Sequence, residues 1–411
     1  MMAAGRAAEC GAPVLLLEKT TRLGNKLRIT GKGRCNLTNQ TDVQDFIAHF
    51  GGNGRFLYGA FSRFFVDDLI DFFSRRGVET KVERGRRVFP ISDDASCVAA
   101  ALQGYIEQGD VQVRLGARVS SLVIEAGTAI GVRTGSEEIP AAAVILAAGG
   151  ASYPRTGSSG DGYRIARAVG HTLVPTRPAL VPLVTAESYP KELEGLSLRN
   201  VRMTLLGDDQ VMEERFGEML FTGFGLSGPI VLSASRTAVD ALAAGKKVQV
   251  SIDLKPALSD EQLDARLIRD LDRQGRQAYH SILKGLLPSK LIPLFVRLTR
   301  VPGDKSAHQI NSAERARLRG LLRDFRLTIT ASRPISEAIV TAGGVDTNEI
   351  DPRTMESKLI SGLYFCGEII DVDADTGGYN LQAAFSTGHL AGEAAAHAGT
   401  AKGPDSRADN A

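Results

Sequence analysis

The chain has 411 residues, of which 43% are hydrophobic and 23% charged, so it can bury a sizeable core and is not a disordered protein. That length predicts two or three domains. Lys and Arg total 49 against 47 Asp and Glu, and the resulting net charge of +2 argues against a dedicated nucleic-acid-binding protein. Trp is absent and aromatic residues make up 6%, which argues against a stacking platform for carbohydrate or single-stranded DNA.

The cysteines and the N-terminal residues indicate the compartment. Cys10, Cys35, Cys97 and Cys366 form no CxxC pair, which excludes a disulfide-rich domain and a cysteine zinc site. The first ten residues lack the apolar segment of a signal peptide. The longest apolar run, 141–151, is roughly half of the ~20 residues that a membrane helix needs. We therefore expect a soluble cytoplasmic protein with no membrane partner and, since its six histidines lack metal-ligand spacing, no metal.

The first third of the chain alternates helices and strands. Residues 3–9 have the composition of a helix that ends at Gly11, and the apolar run 13–19 is typical of a buried parallel strand. Further helices are predicted at 42–77 and 96–108, a glycine-rich functional loop at 23–39, and further strands at 78–90, 111–134 and 141–146. This alternation predicts an α/β domain with a parallel sheet.

The middle of the chain has a different pattern. Gly207-Asp208-Asp209 is typical of a hairpin turn between strands at 199–206 and 211–216. Residues 256–322 are predicted to be helical, with further strands on either side at 247–254 and 325–330. The helical part shows capping-box spacing at Ser259 and Gln262 and at Asn311 and Glu314, and Pro288 in a first helical turn.

This change of pattern divides the chain into domains. The middle is predicted to be an inserted β-rich domain that carries a helical subdomain. After it the chain returns to an α/β pattern, with a strand at 362–366 and a helix at 381–397. The predicted boundaries are 1–173 and 333–399 for the α/β domain, 174–332 for the insertion, about 256–324 for the helical subdomain, and 400–411 for a disordered tail.

Glu18 ends the strand predicted at 13–19. In a dinucleotide-binding βαβ unit, an acid about 20 residues after the glycine turn binds the ribose hydroxyls, although any strand can end in a glutamate. The sequence begins inside the helix that should follow this turn. We therefore expect a native protein that starts about 20 residues upstream, with an apolar strand and G-x-G-x-x-G before Met1.

Residues 30–39, TGKGRCNLTN, form a basic loop after that strand. Its glycines let the backbone approach a ligand closely, Lys26 and Arg34 can bind phosphate oxygens, and Asn36 can donate and accept hydrogen bonds. The loop suits a pyrophosphate, although its composition is also that of a Gly/Asn-rich surface loop. Cys35 is either a redox thiol beside cations or a small packed residue, and the lack of a resolving cysteine nearby favours the packed residue.

Two later segments also place glycines after a strand. AAGG at 147–150 either lets the chain cross a cofactor or makes a tight turn. Glu368 follows a strand and Gly367, where an acid can bind polyol hydroxyls such as the ribityl chain of a flavin. The segment 375–382, DTGGYNLQ, opens a helix whose N-terminus would stabilise the anionic edge of a reduced flavin. Three such motifs at the start, middle and end of one chain predict a flavin dinucleotide site.

These motifs resemble those of the BaiN-like flavoproteins, a family of FAD-binding enzymes of NAD(P)/FAD-dependent or aminoacetone-oxidase type. The resemblance covers nearly the whole chain and implies a Rossmann-like two-dinucleotide-type FAD-binding domain that is split by an inserted β-barrel-like domain with a helical subdomain. The matching stretches are TGKGRCNLTN (30–39), LAAGGASYPRTGSSGDGY (146–163), FTGFGLSGPIVLSASR (221–236), SRPISEAIVTAGGV (332–345) and GLYFCGEIIDVDADTGGYNLQAAFSTG (362–388).

The resemblance also implies which residues bind FAD. Glu18 would bind the adenosine ribose, the basic loop would follow the ADP portion, Glu368 would face the ribityl chain, and main-chain amides at the start of the last helix would meet the flavin ring. The complete set implied is Glu18, Lys19, Lys26, Arg34, Cys35, Asn36, Val119 (main chain to adenine), Ala148, Gly149, Gly150, Gly367, Glu368, Asn380 and Leu381.

Three functions are consistent with this cofactor. The first is an FAD-dependent oxidoreductase that acts on a small organic substrate, with NADH, NADPH or O₂ as redox partner, since no second G-x-G-x-x-G indicates a separate nicotinamide domain. The second is a flavoprotein that modifies RNA, against which the near-neutral charge argues. The third is a flavin-binding redox sensor without turnover.

Several side chains are candidates to lie near the flavin face: Tyr153, Arg155, Asp371, Asp375 and Tyr379. None of them is assigned as a general base, because acids beside glycines are more often turn formers.

Overall fold

The computed structural model describes residues 1–401, which form two compact units. Unit 1 comprises Met1–Arg177 together with the chain from Ile335 onward, and unit 2 comprises Pro178–Pro334. The sequence places the ends of the insertion at 174 and 332. Apart from its first two residues, which end a helix, the tail expected at 400–411 lies outside the described residues.

The first part of unit 1 consists of short helices and strands. Two of the helices begin at aspartates, Asp42 and Asp94, whose carboxylates accept main-chain N–H hydrogen bonds. In chain order the elements are α1 (Met2–Glu9), β1 (Leu15–Glu18), α2 (Asn25–Ile29), β2 (Thr38–Asn39), α3 (Val43–Ala48), α4 (Tyr58–Phe61), α5 (Val66–Ser74), β3 (Thr80–Glu83), β4 (Arg87–Pro90), α6 (Ala95–Gln108), β5 (Gln112–Leu115), β6 (Val119–Glu125), β7 (Thr128–Thr134), β8 (Glu137–Pro140), β9 (Val144–Leu146), α7 (Asp161–Ala168) and β10 (Leu173–Ala179).

Unit 2 is a closed antiparallel barrel of six strands with helices inserted between them, which confirms the predicted barrel-like domain. Its elements are β11 (Leu183–Thr185), β12 (Ser197–Gly207), β13 (Gln210–Thr222), β14 (Gly225–Ser227), α8 (Pro229–Ala243), β15 (Val248–Asp253), α9 (Asp260–Arg273), α10 (Tyr279–Leu283), α11 (Leu291–Thr299), α12 (Ser312–Arg323) and β16 (Phe325–Ser332). Around the barrel the strands follow the order β11, β14, β13, β12, β15, β16.

Local sequence signals in unit 2 agree with the structure at most positions. Asp208 and Asp209 both have left-handed backbones, as the two-residue turn between β12 and β13 requires. The capping boxes at the starts of α9 and α12 are both formed. The placement of Pro288 in a first helical turn is wrong, because α11 begins only at Leu291 and the Pro288 carbonyl accepts a hydrogen bond from the Leu291 N–H in the preceding turn.

One hydrophobic core joins the barrel of unit 2 to its helices. The Phe325 ring, at the start of β16, lies 6.4 Å from the Phe221 ring of β13 and 5.7 Å from the Phe295 ring of α11, between centroids. All three side chains are at most 1% exposed. The helical subdomain is therefore not a separate folding unit, because it completes the core of the barrel.

The chain returns to unit 1 with β17 (Val340–Val345), β18 (Leu363–Phe365) and α13 (Tyr379–Ala401). The parallel sheet predicted from the sequence is present as two parallel pairs, β1 with β5 and β9 with β18. The long helix α13 packs closely against α1, since a Cβ on Gly392 would lie 2.3 Å from the Ala3 carbonyl oxygen. Between residues 1 and 401, no helix is long and apolar enough to cross a membrane.

The glycine-rich segment that was predicted to be a loop also contains one short helix. The segment 23–39, predicted to be a loop, contains α2, which ends at a run of left-handed residues at Gly31, Lys32 and Gly33. The helix is only five residues long and lies between glycines, which explains why no helical period is visible in the sequence.

A buried histidine joins two separated segments of unit 1. The His171 side chain is fully buried, with Nδ1 3.0 Å from Glu349 Oε2 and Nε2 2.9 Å from Ser357 Oγ. Because Ser357 Oγ already accepts the N–H groups of residues 359 and 360, its hydroxyl donates to Nε2, and the ring is neutral with its proton on Nδ1. Burial lowers the pKa of His171, against the opposing effect of Glu349.

We predict that this histidine makes the protein less stable in mild acid. The unfolded chain binds a proton at the ordinary histidine pKa of about 6.5, whereas folded His171 binds it only at lower pH. The free energy of unfolding should therefore decrease below about pH 6.5, by at most about 1.4 kcal/mol per pH unit. Denaturant unfolding of H171Q at pH 7 and pH 5 should show a lower stability at pH 7 and a smaller acid loss than wild type.

The exposed His308, whose ring contacts the Gly275 carbonyl oxygen, provides the control variant H308Q, which should keep the wild-type acid loss. His389, whose pKa burial also lowers, is present in all three proteins and cancels in the comparison. An acid loss in H171Q equal to that of wild type would contradict the prediction.

Candidate cofactor-binding site

The carboxyl end of β1 and the loop after β9 meet at one place in unit 1. The Glu18 carboxylate accepts the Thr20 N–H at 2.7 Å, and a Cβ on Gly157 would lie 3.7 Å from its Oε1. The first and middle motifs are thus brought together.

A second contact fixes that loop against the end of β1. Lys19 Nζ lies 2.9 Å from Asp161 Oδ2 at the start of α7, and Arg118 binds the same carboxylate at 2.8 Å. These two cations hold the pKa of Asp161 well below its usual range. Lys19, predicted to bind the cofactor, is therefore already paired with an acid.

Four separated residues form what we call the Glu368 cluster: Lys26, Ser152, Thr341 and Glu368. Glu368 Oε1 accepts from the Thr341 N–H and from the Ser152 hydroxyl, each at 2.9 Å. Glu368 Oε2 lies 2.5 Å from Lys26 Nζ, which also donates to Ser152 Oγ at 2.7 Å. The cluster ties α2, the loop after β9, β17 and the end of β18 to one carboxylate.

The glycines after β9 are required by this cluster. A Cβ on Gly150 would lie 2.5 Å from Thr341 Oγ1 and 2.6 Å from Glu368 Oε1, closer than any side chain can approach. Gly149 has a left-handed φ of 69°. Ala148 packs against Gly162 of α7, where an added Cβ would lie 2.9 Å from the Ala148 methyl. Gly149 thus has the positive φ that the tight-turn interpretation requires, whereas Gly150 is required by close packing, which neither sequence interpretation includes.

The basic loop lies directly against the start of α13. A Cβ on Gly378 would lie 2.5 Å from the Thr38 carbonyl carbon and oxygen, so the two backbones are in contact. Asn39 Nδ2 donates to the Gly377 carbonyl at 3.3 Å and to the Gly85 carbonyl at 2.9 Å. The first and last motifs are thus joined at a second point, more than 330 residues apart in the sequence.

Three buried polar atoms on the two segments that meet here lack a hydrogen-bond partner within the described residues. They are Asn36 Oδ1 and Thr38 Oγ1 of the basic loop and Gln382 Oε1 in the first turn of α13. Burying an unsatisfied polar atom costs about 1–3 kcal/mol, so such atoms require an explanation. A polar ligand bound along this junction would provide one, and the donor and acceptor chemistry of these residues fits a flavin dinucleotide.

Two residues of the basic loop have partners other than a cofactor. The Arg34 guanidinium binds Glu83 and Asp93 and lies 4.2 Å from the Phe89 ring centroid, so two carboxylates already compensate its charge. Cys35 is fully buried, and burial raises the pKa of its thiol to about 12, which agrees with a packed residue rather than a redox thiol. Any contact of Cys35 with a cofactor would involve its main chain.

The remaining predicted residues serve local structure. Gly367 has a φ of 75° and donates its N–H to Thr387 Oγ1. The Asn380 side chain holds both the N–H and the carbonyl of Ala374, which leaves its main chain for a ligand. Leu381 packs its side chain against a hydrophobic core. Val119 begins β6, paired with Thr134, and no contact in the described structure joins it to the Glu368 cluster.

Sequence reasoning missed several contributors to the site. Ser152 and Thr341 lie 216 and 27 residues from Glu368, and no local sequence pattern indicates that they donate hydrogen bonds to its carboxylate. His49 was also missed: its Nδ1 lies 3.0 Å from Asp375 Oδ2. The sequence indicated Asp375 as a candidate, but an isolated histidine at the end of a short helix carries no signal of its partner.

Comparisons with known proteins identify the family. Residues 1–394 match the family model described as HI0933-like protein Rossmann domain, so the chain belongs to that family, as the resemblance of its motifs predicted. It is 36% identical to the 3-dehydro-bile acid delta(4,6)-reductase of Clostridium scindens, over 94% of this chain and 93% of that protein. It is 32% identical to the ribosomal RNA dihydrouridine synthase of Escherichia coli, over 94% and 93%.

Solved structures give the same fold. A 3-ketosteroid delta1-dehydrogenase from Sterolibacterium denitrificans superposes with a TM-score of 0.51 at 12% identity, covering 98% of this chain and 97% of that one. A quinol–fumarate reductase superposes with a TM-score of 0.52 at 15% identity, covering 98% and 70%. The chain is an enzyme of a Rossmann-type flavoprotein oxidoreductase family.

The packing at Gly150 generates a prediction about stability. G150A should reduce the free energy of unfolding by about 1–3 kcal/mol, because the new methyl group forces Glu368 and Thr341 apart. G104A is the matched control: Gly104 lies inside α6 with nothing within 4 Å of an added Cβ, so alanine should raise stability by about 0.5–1 kcal/mol. Denaturant unfolding measures both, and a G150A protein as stable as wild type would refute this packing.

Proposed function

We propose that the protein is an FAD-dependent reductase that saturates a carbon–carbon double bond conjugated to a carbonyl group in a small organic substrate. The observation that carries this proposal is the convergence of the first, middle and last motifs on the Glu368 cluster and on the junction between the basic loop and α13. The unsatisfied atoms of Asn36, Thr38 and Gln382 belong to the two segments that meet at this junction, the basic loop and the first turn of α13.

FAD would extend along this surface of unit 1. Glu18 would bind the adenosine ribose, because it ends β1 beside the loop that reaches Gly157. Glu368 would accept hydrogen bonds from ribityl hydroxyls, beside the ion pair that it forms with Lys26. The unsatisfied atoms near Gly378 would receive the isoalloxazine end, together with the main-chain amides of Asn380 and Leu381.

The division of work between cofactor and protein follows from this placement. Bound FAD supplies hydride transfer, and the chain supplies binding, orientation and electrostatics. Lys26, which pairs with Glu368, would place a positive charge beside the ribityl chain and the pyrophosphate. Ser152 and Thr341 hold the Glu368 carboxylate in one orientation, so the cofactor would meet a preformed acceptor.

The substrate class follows from the two curated relatives. A delta(4,6)-reductase acts on a 3-dehydro bile acid, and a dihydrouridine synthase acts on ribosomal RNA. Both names describe saturation of a carbon–carbon double bond, and dihydrouridine is uridine reduced at a double bond conjugated to a carbonyl. We infer that this chain performs the same reaction type on a small enone, with NADH or NADPH as the reductant of the flavin and the enone as its oxidant.

Reduction of a uridine in ribosomal RNA is the second candidate function. The 32% identity to the E. coli enzyme favours it, and so does the local charge. Between residues 256 and 324 the helical subdomain has 13 Lys and Arg against 8 Asp and Glu, an excess that the net charge of +2 for the whole chain conceals. A basic region of this kind can bind phosphate backbones.

FAD binding tests the proposed cofactor site. The purified protein should turn yellow with excess FAD, and E368Q should weaken binding at least about tenfold, because the loss of one charge-assisted hydrogen bond costs about 1.5–3 kcal/mol. The control is E107Q, on the exposed face of α6. Titration followed by flavin absorption measures both affinities. Wild-type affinity in E368Q would exclude Glu368 from the site, and a colourless wild type would exclude the function.

Anaerobic mixing separates the candidate functions. With a small-molecule reductase, NADH or NADPH should bleach the flavin, and a 3-dehydro bile acid with a 4,6-diene should restore its colour. With an RNA-modifying enzyme, unmodified ribosomal RNA should restore the colour instead, and its binding should weaken steeply with salt. Bleaching that neither substrate reverses would favour the third function, a redox sensor.

A further inference from the structure

His49 and Asp375 form a linked pair in unit 1, outside the Glu368 cluster. His49 Nδ1 lies 3.0 Å from Asp375 Oδ2, and the His49 carbonyl accepts the Asp375 N–H, also at 3.0 Å. The imidazole side chain is 38% exposed, whereas the carboxylate side chain is 9% exposed. Two hydrogen bonds therefore fix a partly exposed histidine against an acid that is enclosed.

This arrangement determines where the histidine carries its proton. A carboxylate only accepts hydrogen bonds, so Nδ1 must carry a hydrogen that points at Asp375. The other ring nitrogen, Nε2, is then the atom that can hold a second proton and release it while the ring stays bound to the acid. An acid that orients an imidazole in this way is a recurrent device of proton-transferring active sites.

The ring is also held from one face by an aromatic residue. The Tyr379 ring stacks on the His49 ring with centroids 4.2 Å apart and an interplanar angle of 21°. Tyr379 is buried, and burial with the nearby Asp375 raises its pKa to about 12, so the phenol stays neutral. The other charged groups around the pair are Asp45 and Arg86, which act on Tyr379, and Asp373, which precedes the pair.

The pair lies beside the segment that we propose to meet the flavin ring. The Asn380 side chain donates to the Asp375 carbonyl at 3.3 Å and to the Ala374 carbonyl at 2.9 Å. The backbone from Phe50 to Gly51 runs along the same segment, since Phe50 bridges Ala374 and the Gly51 N–H donates to the Asp373 carbonyl. One network therefore links His49 to the residues whose amides would bind the flavin.

We propose that His49 is the proton donor of this reductase and that Asp375 is its positioning residue. The inference rests on the proposed function, and it names the residue that supplies the proton, the second of the two hydrogens added to the double bond. Saturation of the double bond takes up two hydrogens: one arrives as a hydride from the reduced flavin, which is thereby oxidised, and the other is the proton on His49 Nε2. The proton goes to the carbon next to the substrate carbonyl, and solvent replaces it.

Variants of the full chain test this proposal by rate and by chemical rescue. In H49A the reoxidation of the pre-reduced flavin by a 3-dehydro bile acid with a 4,6-diene should slow by about 10²–10⁴-fold, the usual contribution of a general acid. The affinity for FAD should not change. Added imidazole should restore part of the rate in H49A, with a dependence on imidazole concentration that a merely structural defect would not show.

The control is H308A, which removes an exposed histidine of unit 2 whose ring bonds a main-chain carbonyl. It should keep the wild-type rate and respond to no imidazole. Wild-type turnover in H49A, or slow turnover that imidazole does not restore, would overturn the role of His49 while leaving the reductase intact. A wild type that binds no FAD would instead overturn the proposed function, and this inference with it.

A measurement that needs no substrate tests the positioning role of Asp375. In ¹⁵N-labelled protein the His49 ring, assigned by its absence from H49A, should carry its proton on Nδ1 in the neutral form. In D375N that preference should be lost, and the rate should decrease with unchanged FAD affinity. A wild-type ring protonated only on Nε2, or an unchanged preference in D375N, would overturn the proposal.

Discussion

The organisation of unit 1 depends on one carboxylate that three distant segments satisfy. Glu368 receives a main-chain N–H from β17, a hydroxyl from the loop after β9 and an ammonium from α2, while its own backbone follows β18. A carboxylate that is mostly removed from water requires such partners, because its desolvation is costly without them. The same requirement brings the three cofactor motifs to one place, and it leaves no room for a Cβ at position 150 without a shift of Glu368 or Thr341.

How much of this structure can be predicted from the sequence depends on how far apart in the sequence the interacting residues are. The turn at Asp208 and Asp209 and the capping box at Ser259 involve neighbours within three residues, and both were predicted. Pro288 was placed wrongly because a proline is equally suited to the turn that precedes a helix. Helix α2 was missed because five residues between glycines show no period.

Side-chain partners from distant segments were beyond sequence reasoning. Glu368 itself could be identified, since a strand, a glycine and an acid are contiguous, but the contacts of Ser152 and Thr341 could not. Arg34 shows the converse case: its type and position suited a phosphate, yet Glu83 and Asp93, which lie 49 and 59 residues away, bind it in the structure. A role for His49 becomes apparent only from its contact with Asp375, which lies 326 residues later in the chain.

The two enzymes most informative about function act on very different molecules and share one reaction type. That combination fits our proposal that unit 1 holds the flavin and its proton donor, while substrate choice depends on surfaces elsewhere. The charge of the helical subdomain is one such surface feature, because it differs from the average of the chain. Substitutions in unit 1 therefore test the chemistry, and substitutions of charged residues in unit 2 separately test the choice of substrate.

The most direct test of this account is a crystal structure of the protein grown with FAD. The account predicts a ribityl hydroxyl within hydrogen-bond distance of Glu368, the adenosine ribose at Glu18, and the flavin ring at the junction of Thr38 with Gly378. Two results would contradict the central claim. One is a flavin bound elsewhere on the molecule, and the other is a crystal that contains FAD in which Glu368 makes no contact with it.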